Sequence, residues 1–251
     1  MTTIKEEEYE KPINITPHKF SCDDEDTSIP EPLPRKSFSM LVIGKPGMGK
    51  TTLLLSLVCK QGKAFNRKFD RVYLWSPSLI TMEDDPFELI PEDQKFKDAN
   101  LDTLENGLEQ IQDAGEKVLL VVDDVIADVR GKGRAEVENK LQKIFFNRRH
   151  LCGAGGSCSI MATSQTYNKI DPKLRKSCSH LICFENRNKK EVKNLFEEVI
   201  LIPEKEYFDV MKYIYDKKHN FMYVDTTRNQ DEMIHKNFNR LVIDSPNIMK
   251  F

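Results

Sequence analysis

The chain has 251 residues, of which 39% are hydrophobic and 31% are charged, and its formal net charge is −2 at pH 7. This length suits one large domain with an appendage, and the composition is that of an ordinary globular protein. The small negative charge argues against a nucleic-acid coat protein, and no apolar run reaches the roughly 18–20 residues that a membrane-spanning helix needs. Because residues 1–8 contain no apolar core, we expect a soluble protein that is not secreted.

Residues 1–37 differ from the rest of the chain in charge and proline content. They carry nine acids and five bases, a net charge of −4, whereas the remaining 214 residues carry +2. Five prolines disfavour helix in this segment, and its acidic clusters cannot form a core. We therefore predict an extended arm over 1–37, either disordered or docked on a neighbouring molecule, and one domain over 38–251.

From residue 39 onward, short apolar runs alternate with helical patterns. Strands are predicted at 39–43, 71–75, 118–122, 159–163 and 181–184, and helices at 51–60, 101–111, 135–150, 189–199 and 203–217. Segments 221–224 and 240–243 are expected to pair with each other as late strands. This alternation predicts an α/β fold in which a mostly parallel sheet is covered by helices on both faces.

The first predicted strand leads into a Gly-x-x-x-x-Gly-Lys-Thr sequence and then into a helix. Glycines allow such a loop to curl around phosphate oxygens with its N–H groups pointing inward, and the following helix adds its positive end. Lys50 is expected to reach the β- and γ-phosphates, and Thr51 to hold Mg²⁺. The loop predicts ATP and Mg²⁺ as cofactors, with nucleotide contacts from Gly44, Lys45, Pro46, Gly47, Met48, Gly49, Lys50, Thr51 and Thr52.

Polar residues end two later strands of this predicted P-loop ATPase domain. Asp123 and Asp124 follow the buried run 118–122, where a P-loop protein needs an acidic partner for Mg²⁺. Asp123 suits that role, and Asp124 is expected to polarise the attacking water. Gln165 ends the next strand and is expected to sense the γ-phosphate. Alternatively, the two acids merely begin a loop and Gln165 is an ordinary polar strand end.

From the phosphate loop onward, the chain resembles the FtsK–HerA superfamily, and within it the packaging ATPases of poxviruses, giant viruses and virophages. The resemblance is carried by the phosphate loop, Asp123-Asp124, Arg148-Arg149-His150, Thr163-Ser164-Gln165, Ile170-Asp171-Pro172-x-Leu174-Arg175, and the run 181–184 followed by Lys189-Lys190-Glu191. It implies a RecA-like fold and ATP-driven translocation of double-stranded DNA into a capsid. Many superfamily members have Asp-Glu in place of Asp123-Asp124, which makes Asp124 less secure as the catalytic base.

The resemblance also implies partners. We expect a homo-oligomeric ring, a pentamer or hexamer, that contacts double-stranded DNA and a capsid or portal-vertex protein, in the virion or the host cytoplasm. Such rings use an arginine from a neighbouring subunit; Arg148, Arg149 and Arg175 are the candidates, and the resemblance favours Arg149 over Arg175 for this role. The alternative is that these arginines satisfy helix-end carbonyls or bind DNA. The cationic stretch 129–134 is expected to grip DNA phosphates, unless it is a solvated turn.

Two other classes of function are compatible with a phosphate loop. One is a non-motor ATP-binding protein that acts as an assembly or signalling switch. The other is a small-molecule kinase, which the sequence disfavours because no arginine-rich lid is visible. Stimulation of ATP turnover by DNA would separate a motor from both alternatives.

Overall fold

The computed structural model describes residues 24–59, 64–65, 67–80, 85–98, 100–112, 114–124 and 134–243. In these ranges the strands are β1 Ser39–Ile43, β2 Arg71–Trp75, β3 Lys95–Phe96, β4 Lys117–Val122, β5 Ser157–Ser164, β6 His180–Phe184, β7 Phe221–Asp225, β8 Ile234–Lys236 and β9 Asn239–Arg240. All of them belong to one sheet with the order β3-β2-β4-β5-β1-β6-β7-β8-β9.

The first six strands across this sheet are parallel, and β7, β8 and β9 are antiparallel to their neighbours. Strand β5 lies between β1 and β4, with Ser164 opposite Ile43 and Ala162 opposite Val122. The carboxyl ends of β1, β4 and β5 therefore meet at one edge of the sheet, which we call the carboxyl edge. The predicted, mostly parallel sheet is confirmed.

Six α-helices lie within the part of the chain that the structure describes. They are α1 Lys50–Val58, α2 Leu101–Ile111, α3 Arg134–Asn147, α4 Pro172–Ser177, α5 Lys189–Leu195 and α6 Glu204–Ile214. A 3₁₀ turn, Arg148–His150, follows α3, and a π-helical turn, Phe196–Ile200, follows α5. Helix α4 was not predicted, although Asp171 caps it by accepting a hydrogen bond from the backbone N–H of Lys173, and Pro172 opens it.

The sheet is buried on both faces, because successive residues of a strand point in opposite directions. Leu119 and Val121 pack on the face that α1 covers, together with Leu54. Val118 and Leu120 pack on the opposite face. That second face is covered by side chains from the other five helices: Leu104, Leu141, Leu174, Leu195 and Val210. The predicted arrangement of helices on both faces is confirmed.

The described part of the predicted N-terminal arm, residues 24–37, packs against this same domain. Ile29 and Leu33 are buried in the layer that contains α1. The hydroxyl of Tyr223 donates a hydrogen bond of 2.8 Å to the carbonyl oxygen of Pro32. Prolines prevent a helix in this segment but do not prevent its few apolar side chains from entering the core. The domain boundary between residues 37 and 38 stays a prediction.

The predicted pairing of segments 221–224 and 240–243 is wrong. Strand β7 pairs with β6 and β8, and Tyr223 lies opposite His235. Ile234 and His235 are buried, whereas Val242 is 79% exposed, so the shorter and less apolar segment supplies the better partner for β7. No helix in the described ranges has the length and apolar character needed to cross a bilayer.

Candidate nucleotide-binding site

The phosphate loop leaves the carboxyl end of β1 and turns directly into α1. Gly47 and Gly49 have φ angles of 76° and 102°, a left-handed region that favours glycine. Lys50 is the first residue of α1. Backbone N–H groups in the first turn of a helix have no carbonyl partner within the helix, so they are available to bind an anion.

Lys50 is buried within this loop, with its side chain 6% exposed. Its ammonium group donates a hydrogen bond of 2.8 Å to the carbonyl oxygen of Gly44. The same nitrogen lies 3.7 Å from Oδ1 of Asp124. Lys50 is therefore held between the start of the loop and the acid that follows β4.

Asp124 has a different environment from the acid before it. Its side chain is 34% exposed, and its backbone N–H donates a hydrogen bond of 2.7 Å to Oγ1 of Thr163. Burial raises the pKa of the Asp124 carboxyl group, and the charge of Asp123 adds to this effect, while Lys50 and hydrogen bonds from Gln165 and Thr163 oppose it. A carboxylate with a raised pKa is a stronger base toward water than an ordinary one.

Asp123 is buried, with 2% of the residue exposed, and is surrounded by hydroxyl groups. Its Oδ2 accepts hydrogen bonds from Ser76 at 3.1 Å and Ser78 at 3.4 Å. Its Oδ1 accepts a hydrogen bond of 2.7 Å from Thr163. The pocket beside the phosphate loop is lined by Asp124 and not by Asp123, and the role of Asp123 as a magnesium ligand stays a prediction.

The pocket has a volume of about 740 Å³. One wall is formed by the phosphate loop and the first turns of α1, and the other by Phe184, His219 and Phe221. Nδ1 of His219 lies 3.1 Å from the carbonyl oxygen of Met48. Since a carbonyl oxygen can only accept, this ring nitrogen carries the proton. These three aromatic residues lie far along the sequence from the loop and were not predicted.

The described pocket residues have the chemistry that Mg²⁺ prefers. The hydroxyl of Thr51 and the carboxylate of Asp124 line the same pocket, and magnesium is usually bound by oxygen ligands together with substrate phosphates. In ATPases the ion neutralises negative charge that develops on the phosphates. The hydroxyl of Thr51 therefore fits the predicted Mg²⁺, and Asp124 lines the same pocket.

The two arginines considered for action on a neighbouring subunit have different surroundings. The guanidinium group of Arg175 is buried and donates hydrogen bonds of 2.7 and 2.6 Å to the two carboxylate oxygens of Glu198. Its third nitrogen donates to the carbonyl oxygen of Tyr167 at 3.3 Å. Arg175 is thus fully engaged within its own chain, which agrees with the preference for Arg149.

Arg149 is exposed on the 3₁₀ turn that follows α3. The next residues are anchored by Cys152, whose carbonyl oxygen accepts a hydrogen bond of 2.8 Å from the N–H of Gly115, just before β4 begins. Arg149 therefore lies near the amino ends of the strands, across the sheet from the phosphate loop. The structure brings Lys50, Asp124 and Gln165 together and leaves Arg149 outside this group.

The predicted DNA-contacting stretch 129–134 lies outside the described residues, apart from the position of Arg134 as the first residue of α3.

Comparisons with known proteins show the family and the fold of this chain. The family model described as "Poxvirus A32 protein" matches residues 29–233, well over half of the chain. The DNA-packaging ATPase B204 from Sulfolobus Turreted Icosahedral Virus has a similar structure, with a TM-score of 0.54, 13% identity, and coverage of 80% of this chain and 97% of that one. The pCW3 conjugation coupling protein TcpA gives a TM-score of 0.52 and 14% identity over 83% of this chain and 61% of that one. No curated protein matches the chain in sequence. The two structural likenesses confirm the predicted fold class.

Proposed function

Since the chain belongs to the poxvirus A32 protein family, which confirms the resemblance to the poxvirus type of packaging ATPase, we propose that it drives double-stranded DNA into a viral capsid by hydrolysing ATP. The observation that carries the proposal is the meeting of Lys50, Asp124 and Gln165 at the carboxyl edge of the sheet. The DNA-packaging ATPase B204 has a similar fold, which supports the same function for this chain.

Each of the three residues has a distinct task in this proposal. Lys50 releases the carbonyl oxygen of Gly44 and binds the β- and γ-phosphates. Asp124 accepts a proton from the water that attacks the γ-phosphorus, and its raised pKa suits that task. Gln165 hydrogen-bonds to Asp124 and begins the loop after β5, so it can transmit a change at the γ-phosphate to that loop.

Assembly into a ring is the second part of the proposal. Arg149 lies across the sheet from its own phosphate loop, so it can contribute to hydrolysis only in another copy of the chain. A ring of five or six subunits places one subunit's exposed turn against the next subunit's pocket. Whether a capsid or portal-vertex protein holds the ring stays a prediction.

The test is the rate of ATP hydrolysis by the assembled protein with and without double-stranded DNA. A motor should hydrolyse ATP faster when DNA is present. The Lys50→Ala variant should not hydrolyse ATP with or without DNA. Equal rates of ATP hydrolysis with and without DNA, in a sample shown to be assembled, would contradict the proposed motor function. They would favour the alternative, a non-motor ATP-binding switch.

A further inference from the structure

A concentration of positive charge lies in the segments that follow the carboxyl ends of β5 and β6. Residues 165–190, from Gln165 to the first turn of α5, contain seven bases and two acids. Six of the seven bases are exposed, and Arg175 is the buried exception. We call four of the exposed residues the lysine patch: Lys169, Lys173, Lys189 and Lys190.

Internal ion pairs do not explain the lysine patch. Nearby exposed bases are paired, Arg187 with Glu185 at 3.0 Å and Lys193 with Glu197 at 3.5 Å. None of the four patch lysines forms an ion pair with a carboxylate of the described residues. Three of them, Lys173, Lys189 and Lys190, occupy first turns of α4 or α5, where the positive end of a helix disfavours cations. Stability of the helices therefore does not account for these positions.

Hydrogen bonds hold the segments of the patch together. Asn194 of α5 donates to Asn168 at 2.8 Å, next to Lys169. Lys190 precedes Asn194 by four residues, so both side chains lie on the same face of α5. The buried carboxylate of Glu191 accepts a hydrogen bond of 3.1 Å from the N–H of Tyr167. The loop that begins at Gln165 is thus fastened to α5, and Gln165 itself hydrogen-bonds to Asp124, which lines the pocket.

We propose that the lysine patch binds the phosphate backbone of double-stranded DNA and that DNA bound there accelerates hydrolysis through the Gln165 loop. The proposal rests on the function proposed above. The chemistry favours phosphates over bases, because lysine recognises phosphate as a point charge. The nearby amide groups that could read base edges are engaged internally: Asn186 donates to Glu191 and Asn188 caps α5. Binding at this surface should therefore be independent of DNA sequence.

The test compares two quadruple variants of the full chain that lose equal charge. The patch variant is Lys169→Ala, Lys173→Ala, Lys189→Ala and Lys190→Ala. The matched control removes four other exposed lysines that form no ion pair within the described residues: Lys97→Ala, Lys143→Ala, Lys205→Ala and Lys212→Ala. Both variants and the wild type are measured for thermal unfolding, for ATP hydrolysis with and without duplex DNA, and for binding of fluorescent duplex DNA and of anionic lipid vesicles over a salt series.

The patch variant should keep the melting temperature and the DNA-free rate, lose most of the stimulation by DNA, and bind duplex DNA about tenfold or more weakly at low salt. The slope of log affinity against log salt should fall by about 2–4, because each lost phosphate contact removes roughly 0.9. The control should behave as the wild type. Equal losses in both variants, or binding of anionic lipid vesicles in place of DNA, would overturn the patch. If DNA does not accelerate ATP hydrolysis by the wild type, the proposed motor function is wrong as well. If DNA accelerates hydrolysis by the patch variant as much as by the wild type, only the role of the lysine patch is wrong.

Discussion

The ammonium nitrogen of Lys50 lies 3.7 Å from Oδ1 of Asp124, although the strands that precede these two residues do not pair with each other. Strand β5 lies between β1 and β4, and Gln165, which follows β5, hydrogen-bonds to Asp124. A charged pair and an amide that follow three different strands thus meet at the carboxyl edge. We propose that this arrangement serves hydrolysis as well as nucleotide binding.

The separate roles proposed for Lys50 in nucleotide binding and for Asp124 in hydrolysis can be measured directly. Lys50→Ala should severely weaken ATP binding, because it removes the buried ammonium group that is proposed to bind the β- and γ-phosphates. Asp124→Asn should keep binding but slow hydrolysis by about 10²–10⁴-fold, the usual contribution of a general base. A fluorescent ATP analogue reports binding, and phosphate release reports hydrolysis. Equal loss of ATP binding in both variants would contradict this assignment of separate roles.

The raised pKa of Asp124 predicts an effect on stability with a definite sign. A carboxyl group that binds its proton more tightly in the folded state makes the folded protein less stable as pH rises above the unfolded pKa of about 3.8. Asp124→Asn should therefore raise the melting temperature of the nucleotide-free protein at pH 7. The difference from the wild type should shrink as pH falls toward 4. A variant less stable than the wild type at pH 7 would show that the Lys50 contact outweighs burial.

Thr163 is predicted to position the acids. Its hydroxyl donates to Oδ1 of Asp123 and accepts from the N–H of Asp124, both at 2.7 Å. Thr163→Val keeps the shape but leaves both partners unsatisfied, at a cost to folding of about 1–3 kcal/mol. Hydrolysis should fall more than ATP binding, since Asp124 loses its anchor. Thr163→Ser, which restores the hydroxyl, should recover the rate, and a failure to do so would assign Thr163 to packing only.

His219 is predicted to select the nucleobase. Its Nδ1 proton is used by the carbonyl oxygen of Met48, so in the neutral ring Nε2 can only accept a hydrogen bond. The 6-amino group of adenine can donate to such an acceptor, whereas the 6-oxo group of guanine cannot. His219→Phe should weaken ATP binding by about 2–10-fold, the equivalent of one hydrogen bond, and leave GTP binding unchanged. Equal losses for both nucleotides would mean that His219 shapes the loop without reading the base.

The sequence was sufficient for features that depend on local spacing. The phosphate loop, the strand over 71–75 and the start of α2 follow from glycine positions and apolar periodicity, and they appear as predicted. Contacts across the sheet depend on strand order, which no local pattern contains. The bond between Thr163 and Asp123 requires β5 beside β4, and His219 reaches Met48 from 171 residues away. One of the hydroxyl groups around Asp123 could have been placed from the sequence, because Ser76 directly follows a predicted strand.

Arg149 is predicted to complete the site of a neighbouring subunit, and mixtures of subunits test this. Wild-type protein doped with Arg149→Ala should lose activity more steeply than the mutant fraction rises, because a donated arginine of this kind contributes about 10³–10⁵ to the rate and one defective subunit stalls a ring. Arg175→Ala is the contrasting variant. It removes the guanidinium group that pairs with the partly buried carboxylate of Glu198 and leaves that carboxylate only the hydrogen bond from Tyr167, so it should lower stability by about 1–3 kcal/mol. Arg149→Ala should lower the melting temperature less than Arg175→Ala does, since Arg149 is exposed and Arg175 is buried. If doped activity falls in simple proportion to the mutant fraction while the samples remain assembled, Arg149 does not act across the interface.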